Sequence, residues 1–154
     1  MSTTHPAPSR TPSATAGGID PRGPQFTAAV TVVVLVLALA LPTAASVVVT
    51  AVQAVLFAIG AALGVQRTPH SWVFRTLVRP RLAPPAELED PQPPRFAQAV
   101  GLVFTVVALA AYAVGAPVVA LVALGFALVA AVLNAVFRFC LGCELYLLIT
   151  RAGG

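Results

Sequence analysis

The chain has only two cysteines, Cys140 and Cys143, standing three apart in "RFCLGCELY". That spacing permits a disulfide across a turn that opens a helix. There the helix N-terminus stabilises the thiolate of the first cysteine and draws its pKa below the usual value of about 8.5. Arg138, two residues earlier, would favour that thiolate, and Glu144 would oppose it. Three readings of the pair stand open. It carries out thiol–disulfide or persulfide exchange, since the cytosol keeps such thiols reduced and reactive. It is half of a metal site, although zinc takes four ligands, so His70 or a second copy would have to complete it. Or the cysteines pack as small apolar side chains. His70 would serve as a base for the thiols if it lies close to them; otherwise it is an interfacial side chain beside Trp72. No other group of residues carries a chemical signature: there is no Ser-His-Asp arrangement, no phosphate loop and no carboxylate dyad. No cofactor and no metal is assigned.

The elements that must position these residues follow from composition. Of the 154 residues, 58% are hydrophobic and 9% are charged. The mean hydropathy is +0.92. A soluble domain carries about a quarter of its residues as charges, so the bilayer is the solvent this chain is built for. Apolar runs cover 26–41, 44–65, 96–116 and 117–139. A membrane-spanning helix needs about 20 such residues, which predicts spans of about 24–42, 44–65, 96–116 and 117–139. Many of these residues are valines, which favour strands in water. In lipid a spanning segment must satisfy its own backbone, so helix prevails. "LALPTAAS" at the end of the first run resembles a signal cleavage site, but the run is too long for one and is read as an uncleaved span. Gln53 and Asn134 lie deep in apolar runs, as interhelical hydrogen-bonding groups or as substrate or quinone contacts. Gly60 and Gly64 in "GAALG", with Ala127 and Ala131, form small-residue seams that would bring the second and fourth helices together.

The chain also restates itself. "DPRGPQFTAAV" from Asp20 returns as "DPQPPRFAQAV" from Asp90, with six of eleven positions identical. Each copy then runs through two spans to a segment beginning with arginine. The expected fold is therefore all-α, with four transmembrane helices as two tandem parallel two-helix repeats, 20–89 and 90–151, related by an axis along the membrane normal. Aligning the copies places His70 on or near Cys140. After the second span, Thr68 and Pro69 can open a short helix, and Trp72, Phe74, Leu77 and Val78 suit the membrane interface. Pro80 to Pro94 then reads as an extended strap. Residues 1–19 form a disordered tail and 152–154 a short one.

All nine basic residues are arginine, and none falls in the breaks around Pro42 and Pro117. The positive-inside rule then places both termini in the cytoplasm, in a multi-pass inner-membrane protein. The net charge of +4 does not imply nucleic acid, because the arginines are spread over membrane-flanking segments.

"DPRGPQF", "LVRPRLAPPAELEDPQPPRFAQAVGLVF", "LNAVF" and "CLGCELYLL" together resemble the bacterial membrane family known as domain of unknown function 4395, over Ile19 to Arg151. The resemblance implies a four-span protein often encoded beside or fused to thioredoxin-like or sulfurtransferase proteins. That in turn implies sulfur or thiol chemistry at Cys140 and Cys143, and His70 is no part of the family's pattern. The expected function is a thiol-redox or sulfur-relay and docking subunit, with the bilayer, a thioredoxin-like or sulfurtransferase protein and a second copy of itself as partners. The alternatives are a non-catalytic scaffold with structural cysteines and a carrier for small anions or sulfur compounds.

Overall fold

A computed structural model describes residues 17–153. Four long helices, α1 (Arg22–Ala40), α2 (Thr43–Leu63), α4 (Gln92–Ala113) and α5 (Pro117–Phe137), are each long and apolar enough to cross a membrane. Two shorter ones, α3 (Pro69–Val73) and α6 (Leu141–Ala152), follow the second and fourth of these. No strand occurs among the described residues; there is only an isolated antiparallel bridge between Ile19 and Glu89.

The helix ends follow from proline and glycine. Leu41 turns extended because Pro42 follows it, and α2 stops at Gly64, whose φ of 96° suits glycine. The third span starts four residues earlier than the apolar run suggests. Pro93 and Pro94 fit inside its first turn, where no partner carbonyl is needed. It stops at Ala113, ahead of Gly115 with a φ of 74°.

The long helices form a ring. α1 packs against α2 and α5, and α4 packs against the same two, which leaves α2 and α5 on a diagonal. The expected seam between the second and fourth helices is therefore absent. The small residues of α2 face α4 instead, in a regular antiparallel register. Ser46 Oγ lies 3.0 Å from Tyr112 Oη. Further along, a Cβ on Gly101 would come within 2.7 Å of the Phe57 ring, and one on Gly60 within 2.7 Å of the Gln98 amide. Each large side chain thus occupies the space left by a small one opposite, and this close fit supplies the attraction that lipid-exposed helices lack. The same register sets Gln53 level with Thr105, both fully buried.

The tightest packing lies toward the uncharged end. There Leu35, Ala38, Ala108, Ala111, Ala120, Ala123, Leu124 and Ala127 form one cluster. Valines such as Val33, Val48, Val103 and Val118 lie on the outer surface, each more than half exposed, as a lipid-facing surface requires. At the other end, α3 packs on α1 and α6 on α4. Trp72 is 61% exposed, whereas Phe74, expected beside it at the interface, is buried against Phe26 with ring centroids 5.8 Å apart.

The N-terminal side of α1 and the strap are joined. Ile19 and Glu89 exchange both backbone hydrogen bonds at 2.9 Å. Asp20 accepts two bonds from the Arg22 guanidinium, which also donates to the Ala83 carbonyl. Most of the expected N-terminal tail lies outside the described residues. Its last residue, Ile19, is bridged and buried, so ordered structure reaches further toward the N-terminus than expected.

Candidate functional site: a cysteine pair between two cavities

The cysteine pair sits where the chain leaves the fourth span. α5 is capped by Arg138, which adopts the left-handed conformation with a φ of 56°. The Phe139 N–H then donates to the Leu133 carbonyl at 3.1 Å and turns the chain sharply. Phe139 carries it to Cys140, the residue that caps α6, whose Sγ accepts the Cys143 N–H at 3.3 Å. The two sulfurs are joined in a disulfide with Cα atoms 5.2 Å apart. When the bridge opens, a thiolate at Cys140 faces the positive end of a three-turn helix, the position that lowers a thiol pKa.

Gly142 fixes this turn against the bundle. A Cβ there would lie 2.6 Å from the Ala97 Cα. The glycine permits this close approach to α4. Phe96 and Tyr146 extend the contact, with ring centroids 5.7 Å apart.

Two cavities meet at Cys140. One, of about 500 Å³, opens at the charged end. It is lined by Arg22, Glu89 and Asp90, at and beside the two "DP" openings, and by Arg138, Cys140, Cys143 and Glu144. Glu89 and Asp90 of the strap thus line the same cavity as the disulfide. The other, of about 330 Å³, lies deeper between the helices. Its walls are mainly apolar and include Phe57, Phe104 and Phe126, with Thr31, Gln98 and Asn134 as polar members. Cys140 and Asn134 line both.

Of the residues singled out in sequence, Cys140, Cys143 and Arg138 are brought together. His70 is not: it lies on α3, packed against α1, and lines neither cavity. Burial holds its imidazole below the ordinary value, toward the neutral form. The position matching Cys140 is Thr68, the cap of α3. Thr68 Oγ1 accepts the Ser71 N–H at 3.3 Å, as Cys140 accepts from Cys143. Thr68 and Ser71 are themselves hydrogen-bonded at 3.1 Å, in the place where the other pair is covalently joined. Identity matching misses this because threonine and cysteine share no letter, although both fill a cap. Among the described residues no three His, Cys, Asp or Glu side chains gather as a metal site. Gln53, the other polar residue noted in an apolar run, lies outside both cavities, and its Oε1 has no hydrogen-bond partner among the described residues.

Helix lengths, apolar outer faces and charged groups at one end define a multi-pass helical membrane protein. Residues 19–151 match the family described as Domain of unknown function (DUF4395), and the chain belongs to that family. No curated protein and no solved structure matches it.

Proposed function

We propose that the protein is a membrane-embedded thiol–disulfide subunit that exchanges electrons with a soluble thioredoxin-like or sulfurtransferase partner. The observation that carries this reading is the position of the Cys140–Cys143 disulfide, capping a helix and lining a cavity that opens among charged side chains. In the reduced pair the Cys140 thiolate attacks a partner disulfide. A mixed disulfide forms and one partner thiolate leaves. Cys143, deprotonated, then attacks Cys140 Sγ, the internal bridge re-forms and the second partner thiolate departs with the electron pair. Arg138 would stabilise the attacking thiolate. Glu89 and Asp90, in the lining of the same cavity, suit a partner with a basic face.

The domain reading belongs to the same proposal: two repeats, 20–89 and 90–151, with the charged end and both termini in the cytoplasm of an inner-membrane protein. Several observations support it. The Ile19–Glu89 bridge joins positions at the repeat offset. Asp20 and Asp90 each accept a backbone N–H two residues on. The α1–α5 and α2–α4 packings are counterparts under the repeat.

The pair is tested by thiol labelling in inverted vesicles across pH after reduction. Cys140 should react at neutral pH with an apparent pKa clearly below about 8.5, and mild oxidation should restore the bridge. Thiols that stay inert until the membrane is dissolved would remove the exchange role. The close seating of Gly142 on Ala97 favours a second reading, a structural bridge that fixes α6 for scaffolding. In that case Cys140→Ser would leave partner binding intact.

A further inference from the structure

The deeper cavity calls for an occupant of its own. Its lining runs from buried Thr31 and Phe57 out to Phe126, which is 61% exposed on the lipid-facing surface. An occupant therefore enters sideways from the membrane. The polar groups of Thr31, Gln98 and Asn134 make no side-chain hydrogen bond among the described residues, which leaves two amides and a hydroxyl to meet an oxygen-bearing ligand. Three phenylalanines supply flat apolar walls suited to a planar ring. One wall is the sulfur-bearing residue Cys140 itself. We infer that this cavity binds a lipid-soluble quinone, which accepts electrons from the reduced Cys140–Cys143 pair.

The inference rests on the thiol reading and names the second redox partner of the same site. The step balances without further reagents. The two thiols lose two electrons and two protons, and the Cys140–Cys143 bond forms. The quinone's two carbonyl oxygens take up the electrons and protons to become hydroquinone hydroxyls. Exchange with the soluble partner is reversible: run backwards, a partner dithiol in the charged cavity reduces the bridge and is itself oxidised to a disulfide, and Cys140 then passes that electron pair to the quinone in the apolar cavity. Asn134, at the boundary of the two, is placed to donate a hydrogen bond to the quinone oxygen nearest the sulfur.

The experiment uses the full chain, reduced and reconstituted in nanodiscs under anaerobic conditions, with decylubiquinone as the probe. One quinone should be reduced for each Cys140–Cys143 bridge formed. Ala127→Phe, which fills the cavity, and Asn134→Leu, which removes its amide without adding bulk, should each slow that reaction at least tenfold. Ala127→Phe, at a residue that lines the apolar cavity alone, should keep the native rate of exchange with the water-soluble disulfide 5,5′-dithiobis(2-nitrobenzoate), and a cooperative melting transition in detergent should show that both variants are folded. Quinone left unreduced while the soluble disulfide reacts would overturn this inference alone, as would native quinone rates in Asn134→Leu. Failure of both probes with the native chain would overturn the thiol reading and this one with it.

Discussion

At the level of single residues, Arg138 holds a backbone conformation that an ordinary side chain adopts only at a cost. A left-handed φ costs an ordinary side chain about 1 kcal/mol and costs glycine almost nothing. A cap of this kind is commonly glycine, yet here an arginine holds it with a φ of 56°. Strain of this sort persists where the side chain is needed, and this one lines the cavity that holds both cysteines. Arg138→Gly should therefore raise thermal stability by about 1 kcal/mol. In the same variant the Cys140 thiol should titrate at higher pH than in the native chain. Melting in detergent and alkylation rates across pH measure the two effects. A more stable protein with unchanged thiol reactivity would make the arginine's charge irrelevant to the thiolate.

At the level of elements, the opening of α1 is tied to the strap through Arg22, which an ion pair with Asp20 holds in place. The Arg22 side-chain hydrogen bonds hold the Asp20 carboxyl below its ordinary value of 3.8. A carboxylate with a lowered folded pKa contributes stability that is fully present above the unfolded value. That contribution disappears as the pH falls through the folded one. The Arg22 bond to the Ala83 carbonyl depends on the same guanidinium, so acid should free the strap before it unfolds the bundle. Limited proteolysis between Pro80 and Pro94 should accelerate below about pH 4. Asp20→Asn should show the fast rate already at neutral pH. Equal cleavage of both proteins at every pH would remove Asp20 from the clasp. The sequence displayed Asp20 and Asp90 as repeated letters, but it did not reveal that the strap between them folds back to pair with the residue before the first. The helix pairing was hidden for a related reason. "GAALG" announces a close contact without naming its partner, because small-residue spacing carries no direction. The partner became visible only in the register that sets Gly60 against Gln98 and Phe57 against Gly101.

For the whole molecule, the bundle is tight at one end and hollow at the other. Alanines at Ala108, Ala111, Ala120 and Ala123 close the uncharged half, while both cavities at Cys140 include residues from the helix ends of the charged half. Span number and the clustering of charge were legible in sequence because hydropathy and arginine position act residue by residue. The cavities were not, since they arise from four helices failing to meet. The side on which the hollow end opens decides which partner can reach the disulfide. Four crossings would put Gly17 and Gly153 on one side of the membrane, and the positive-inside rule predicts that side to be the cytoplasm. With Cys140 and Cys143 replaced by serine, a single cysteine at Val114, 79% exposed in the uncharged turn, should label with an impermeant maleimide in intact spheroplasts. One at Ala86, in the exposed strap, should label only in inverted vesicles. The reverse pattern would place the native disulfide outside the cytoplasm, in an oxidising compartment where structural bridges persist. The soluble partner would then have to be sought there.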